Sequence, residues 1–106
     1  MDRRIAAAIQ IMERQQARRL TVSAVAKQVN LSVWHFTRLF RAEMSMPPAR
    51  YIRTIRLREA QQLLSKTFLS VKEIAAQVGF ADRSQFSRDF KKACGQSPTQ
   101  FRDEAA

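Results

Sequence analysis

Residues 70–95 read SVKEIAAQVGFADRSQFSRDFKKACG and carry the signals for two short helices separated by a tight turn. Ser70 followed by Glu73 forms a capping box, and apolar residues then recur at helical spacing. Gly79 can adopt the left-handed conformation that turns the chain, and Asp82 is a candidate N-cap for the second helix. A short helix, a turn and a second helix form the helix-turn-helix pattern.

The same pattern occurs earlier in the chain, because the stretch that begins at Leu20 aligns with the stretch that begins at Leu69. The offset is 49 at first and 50 after one inserted residue. Chance matches would not preserve a common helical pattern, so the chain uses one supersecondary unit twice. The identical pairs are Leu20/Leu69, Val22/Val71, Ala26/Ala75, Gln28/Gln77, Val29/Val78, Phe36/Phe86, Arg38/Arg88, Phe40/Phe90 and Pro48/Pro98.

In the first copy, Thr21 and Ser32 occupy the cap positions. Asn30 lies at the turn and is the non-glycine residue most tolerant of left-handed geometry. Aromatic residues mark the face of each second helix that we expect to point inward. They are Phe36 and Phe40 in the first copy, and Phe86 and Phe90 in the second.

Three further helices complete an all-α fold of seven helices. One covers about residues 3–16, a longer one covers about residues 48–65, and a short one ends near residue 104. The predicted architecture is one domain over residues 1–106 with two helix-turn-helix subdomains, at about 3–46 and 69–104. The long central helix bridges them as a linker.

The charge of the chain indicates a polyanionic partner. Among its 106 residues, 19 Lys and Arg stand against 9 Asp and Glu, which gives a net charge of +10 at pH 7. Most of the cations are arginine, whose planar guanidinium suits bidentate contact with phosphate or guanine. The basic composition therefore favours nucleic-acid binding.

The sequence lacks the residues and segments that other classes of function require. The single cysteine, Cys94, cannot form an internal disulfide and is expected to be a small packing residue. Because nothing else indicates an oxidising compartment, the cytosol is the default. No apolar run approaches the roughly 20 residues that a membrane span needs. One histidine, no metal-ligand spacing and no glycine-rich phosphate loop predict no enzyme, no metal and no cofactor.

Three segments together resemble the AraC/XylS-type transcription regulators, and the resemblance covers almost the whole chain. They are LTVSAVAKQVNLSVWHFTRLFR at residues 20–41, YIRTIRLREAQQLL at 51–64 and VKEIAAQVGFADRSQFSRDFKKACGQSPTQFR at 71–102. The resemblance implies a sequence-specific regulator of double-stranded DNA, an activator that also contacts RNA polymerase and acts at the bacterial nucleoid. It also implies that the second helix of each copy is a recognition helix, and that both recognition helices share one face and enter successive major-groove segments. The chain is expected to bind DNA as a monomer.

The first copy departs from the family pattern after its second helix. Ser45 stands where the second copy has Gly95, so we expect Met46-Pro47-Pro48 to break the helix instead.

The linker helix of about 18 residues provides a spacer of ~27 Å, roughly comparable with the ~34 Å between major-groove faces on one side of B-DNA.

The candidate DNA contacts lie on the second helix of each copy. The family positions that touch DNA match Trp34, Thr37 and Arg38, and Arg41 also points away from the inward face. Trp34 is alternatively a partly buried core aromatic. Five arginines near the start of the chain either follow the phosphate backbone beside the first half-site or are merely exposed. They are Arg3, Arg4, Arg14, Arg18 and Arg19.

In the second copy, Phe86 and Phe90 leave a polar face for DNA. Arg88 pairs with Arg38 in the repeat, and Arg83 is alternatively a solvated partner of Asp89. The candidate contacts of this copy are Arg83, Ser84, Gln85, Ser87 and Arg88.

Two other functions compete with DNA reading. One is a basic module that binds RNA or another polyanion, and a protein-interaction adaptor is a third possibility.

Overall fold

A computed structural model describes residues 1–15 and 20–105, and within these residues the chain forms seven α-helices and no strand. The all-α fold class is therefore confirmed. Arg18, Arg19 and the expected end of the first helix near Gln16 lie outside the described residues. The helices are α1 (Arg3–Arg14), α2 (Val22–Gln28), α3 (Val33–Met44), α4 (Pro48–Lys66), α5 (Val71–Gln77), α6 (Arg83–Cys94) and α7 (Pro98–Ala105).

The described chain divides into two compact units, Met1–Ile55 and Arg56–Ala106. The division falls within α4, so each unit contains part of the linker helix as well as one helix-turn-helix. The first core draws on α1 to α4 and contains Ile5, Ala8, Met12, Leu20, Val25, Ala26, Val29, Phe36, Phe40, Ile52 and Ile55. The second contains Leu57, Ala60, Leu64, Ile74, Ala75, Val78, Phe86 and Phe90.

The structure reproduces the sequence repeat. Helices α2 and α5 begin and end 49 residues apart, and α3 and α6 begin and end 50 residues apart. Every residue from 32 to 50 is buried, half-buried or exposed in the same way as the residue 50 positions later. The two copies therefore turn the same sides of their helices toward their own cores.

Local side chains start the helices as predicted. Thr21 and Ser32 accept hydrogen bonds from the backbone N–H groups of Ala24 and His35, both at 3.1 Å. Ser70 and Glu73 form the complete capping box of α5. Its hydrogen bonds, first of all the one from the Ser70 backbone N–H, lower the pKa of the Glu73 carboxyl.

The turns and helix ends depend on left-handed residues. Asn30 and Gly79 have φ angles of 59° and 99°, which confirms the expected turns. Ser45 also adopts a left-handed conformation, with φ 61°, and its N–H donates to the Arg41 carbonyl at 3.0 Å. Gly95 ends α6 in the same way. The expectation that Met46-Pro47-Pro48 ends α3 was therefore wrong, because Ser45 itself closes the helix.

Candidate nucleic-acid interface

The rotation of α3 is fixed by two aromatic side chains. Phe36 and Phe40 are fully buried, and their rings lie 5.7 Å apart in an edge-on arrangement. Phe40 also meets the ring of Tyr51 at 5.5 Å. Since an α-helix repeats every 3.6 residues, this packing directs residues 34, 37, 38 and 41 away from the core of the first unit.

The four predicted contacts of the first copy lie together on that outward face. The side chains of Trp34, Thr37, Arg38 and Arg41 line one surface depression, together with Val33 and Ala42. Thr37 is half-buried and both arginines are exposed. The helix thus presents two cations, a hydroxyl and an indole on one continuous surface.

Trp34 is not a core residue. Its side chain is 69% exposed, so the alternative of a partly buried core aromatic is wrong. The guanidinium carbon of Arg38 lies 5.3 Å from the centroid of the indole ring, within the range of a cation–π contact. The tryptophan and the arginine are four residues apart, which places them one above the other on the helix surface.

The second copy orients α6 in an equivalent way. Phe86 and Phe90 are fully buried, and their rings are 5.7 Å apart. The ring centroid of Phe80 lies 5.2 Å from that of Phe86, and the ring centroid of Phe101 lies 5.5 Å from that of Phe90. This row of aromatic rings fixes the rotation of α6 against the core of the second unit.

The predicted contacts of the second copy are all accessible. Ser84, Ser87 and Arg88 occupy the positions of Trp34, Thr37 and Arg38 in the repeat. Ser87 is half-buried like Thr37, whereas Ser84 and Arg88 are exposed. Arg83 and Gln85 are also exposed, and the backbone N–H of Gln85 donates to the capping carboxylate of Asp82 at 2.7 Å.

The exposed face of α6 includes one more cation, which helical position and the repeat both indicated but which the candidate contacts left out. Lys91 corresponds to Arg41, and both residues are exposed. The repeat alignment contained the signal, because it pairs Arg41 with Lys91 at the same offset as Arg38 with Arg88. Val33 and Ala42 were also missed, since neither has the charge or hydrogen-bonding groups by which the candidates were selected.

Three acidic side chains of the first unit accept hydrogen bonds from neighbouring groups. The first turns of α3 and α6 contain no acidic residue. Elsewhere, Asp2 caps α1, and hydrogen bonds from Arg4 lower the pKa of its carboxyl to about 2. The carboxylate of Glu43 accepts from the backbone N–H of Asp2 at 2.8 Å, and that of Glu13 from the Tyr51 hydroxyl at 2.8 Å. The exposed faces of the two helices therefore retain a positive balance, which suits a phosphate backbone.

Across residues 1–15 and 20–105, no helix combines the length and apolar character needed to cross a membrane.

Cys94 is half-buried against the second core, and its sulfur accepts a hydrogen bond from the Gln61 amide at 3.1 Å. This environment agrees with the packing role expected for the cysteine.

Comparison with known proteins relates this geometry to a family. A family model described as a helix-turn-helix domain matches residues 25–104. The lactose operon transcription activator of Staphylococcus xylosus is 33% identical over 95 residues, which are 90% of this chain and 34% of that protein. The chain thus spans about a third of the length of this relative and of the Msm operon regulatory protein of Streptococcus mutans, which it also matches.

Solved structures share the fold. The C-terminal domain of AraT, a response regulator from Geobacillus stearothermophilus, has a TM-score of 0.88 and 32% identity. The match covers 97% of this chain and 86% of that one. The DNA-binding domain of AdpA, a global transcriptional factor solved in complex with a target DNA, has a TM-score of 0.86 and 25% identity. That match covers 97% of this chain and 93% of AdpA's.

Two helix-turn-helix units, each with a cationic face opposite a buried aromatic pair, define a DNA-binding domain of the transcription-regulator class. The family match covers most of the chain, and the structural neighbours include AraC-type DNA-binding domains. The chain belongs to the AraC-type helix-turn-helix family.

Proposed function

We propose that one copy of this chain reads double-stranded DNA with both second helices, α3 and α6, in successive segments of the major groove. The observation that carries the proposal is the equivalence of the two outward faces. Residues 32–50 and 82–100 repeat the same pattern of burial, with an arginine at the same outward position in each copy. A repeated outward cation is what two groove-reading helices require.

The side chains suggest a division of roles. Arg38 and Arg88 lie at the centre of their faces, where an arginine can donate to O6 and N7 of guanine. Thr37 and Ser87 supply hydroxyls that can bond either to bases or to phosphate. The remaining predicted contacts would hold the protein on the phosphate backbone or reach neighbouring bases. They are Trp34, Arg41, Arg83, Ser84 and Gln85.

We also propose that the regulator containing this domain activates transcription and contacts RNA polymerase in the cytoplasm. The support is the family resemblance, together with the name of the Staphylococcus xylosus relative, a lactose operon transcription activator. The domain would cover residues 1–106, with subdomains at about 3–46 and 69–104 joined by the linker helix.

Affinity for a duplex tests the DNA-reading proposal. A preferred duplex is selected from a random-sequence pool, and its dissociation constant is measured by fluorescence anisotropy across salt concentrations. If about 6 phosphates are neutralised by the two copies, the log–log slope should be about −5. A slope shallower than about −2 would contradict binding through both copies.

Competition separates duplex DNA from the other polyanions. Unlabelled duplex of the selected sequence should displace the bound probe at a much lower concentration than single-stranded DNA or RNA of the same sequence. Apart from Trp34 and His35, the faces of α3 and α6 lack the exposed aromatic residues on which single-strand binders stack bases. Equal competition by RNA would instead favour a general basic binding module.

A further inference from the structure

The outward faces of the two copies share one arginine but differ in the residue that lies beside it. Arg38 and Arg88 match in the repeat, but the residue one helical turn earlier is Trp34 in the first copy and Ser84 in the second. The Arg38 guanidinium carbon lies 5.3 Å from the centroid of the indole ring. Serine has no ring on which Arg88 could stack.

The exposure of Trp34 makes this contact informative. The indole is 69% exposed, and no large part of it contributes to the hydrophobic core. Its His35 neighbour lies to one side, with the ring centroids 6.4 Å apart. The contact with Arg38 therefore occurs on the surface that also contains Thr37 and Arg41, where DNA is proposed to bind.

We infer that Trp34 is a positioning residue for Arg38: it holds the guanidinium on the outward face of α3 before DNA arrives. A free arginine loses considerable rotamer entropy when it docks, and a side chain that is already restrained loses less. A cation–π contact at an exposed site is worth about two- to five-fold in an equilibrium constant. The inference rests on the proposed function and assigns the sharper base discrimination to the first copy.

Fluorescence of the free protein tests the contact itself. Trp34 is the single tryptophan of the chain, so its emission reports on this site alone. Arg38→Ala should change the emission intensity or wavelength of Trp34, and the matched variant Arg88→Ala should leave both as in the parent protein. Emission unaffected by Arg38→Ala would overturn the inference.

A double-mutant cycle tests the consequence for DNA reading. The quantity measured is the ratio of affinities for the selected duplex and for one in which the guanine read by the first copy is replaced. Trp34→Ala should lower this ratio by about two- to five-fold when Arg38 is present and leave it unchanged in the Arg38→Ala background. Trp34→Phe keeps an aromatic face and should retain part of the coupling.

The second copy provides the matched control. Ser84→Ala and Arg88→Ala should act additively on the corresponding ratio for the second half-site. If Trp34→Ala lowers the first ratio equally with and without Arg38, Trp34 acts through its own DNA contact and the inference is wrong. If the parent protein discriminates no base at all, the proposed function is wrong and the inference falls with it. Circular dichroism melting curves confirm that each variant is folded.

Discussion

Residues two positions apart on α6 have opposite environments. Phe86 is fully buried between the rings of Phe80 and Phe90, whereas Arg88 is exposed on the outward face. The same contrast holds in α3 between Phe36 and Arg38. The pattern of inward aromatics was predictable, because helical periodicity alone separates the two faces.

Alanine at these two positions of α6 should give opposite phenotypes. Phe86→Ala leaves a cavity in the second core and should lower the free energy of unfolding by about 3–5 kcal/mol. Arg88→Ala should leave the melting temperature nearly unchanged and weaken specific binding by about 1–3 kcal/mol. Thermal melting and duplex affinity, measured side by side, check both expectations. An Arg88→Ala protein that melts like Phe86→Ala would show that the arginine is structural.

Some properties of single residues could not be predicted from the sequence. The exposure of Trp34 depends on which neighbours cover it, and an aromatic residue is as suited to a core as to a binding surface. Its contact with Arg38 depends on the rotamers of two long side chains. Lys91, in contrast, was indicated by the repeat alignment, which pairs it with Arg41.

Each helix-turn-helix unit is defined by its caps and turns. The N-caps of α2, α3, α5 and α6 were predictable because a cap interacts with backbone only two or three residues away. The end of α3 was not, since serine rarely adopts a left-handed conformation and the two prolines after it offered another stop. At this position the surrounding structure overrides the local preference.

Replacing the left-handed serine should stabilise the protein. Ser45→Gly removes the backbone strain at φ 61° and should raise the free energy of unfolding by about 0.5–1 kcal/mol. The matched change Gly95→Ala should lower it by about 1 kcal/mol, purely through the backbone, because a Cβ there meets nothing within 4 Å. Chemical denaturation measures both. A destabilised Ser45→Gly protein would indicate that the serine side chain has a stabilising role.

The capping box of α5 should make that helix sensitive to acid. The Glu73 pKa is lowered from 4.5 in the folded state, so its carboxylate stabilises the fold above pH 4.5. This contribution is lost as the pH falls through the lowered folded pKa. Glu73→Gln should therefore be less stable than the parent at neutral pH, and the difference should shrink below pH 4.5. Denaturant unfolding at several pH values checks this, and a constant difference would contradict it.

At the scale of the whole chain, the internal repeat accounts for most of what the sequence predicted. One recognised unit specified four helices, an apolar stripe specified α1, and proline and cap signals specified α4 and α7. The repeat is not symmetric, however, because Trp34 and Ser84 make its two outward faces chemically different. A single chain with two different faces should recognise a non-palindromic DNA site.

Two equivalent arginines, Arg38 and Arg88, are proposed to read two segments of one DNA site. Guanine methylation interference on the selected duplex tests this most directly, since methylation at N7 blocks an arginine contact in the major groove. We expect two groups of sensitive guanines about 10 base pairs apart. Arg38→Ala should abolish interference at one group only, and Arg88→Ala at the other only. Interference at a single group, or a pattern that both substitutions leave unchanged, would show that the two arginines do not read separate segments.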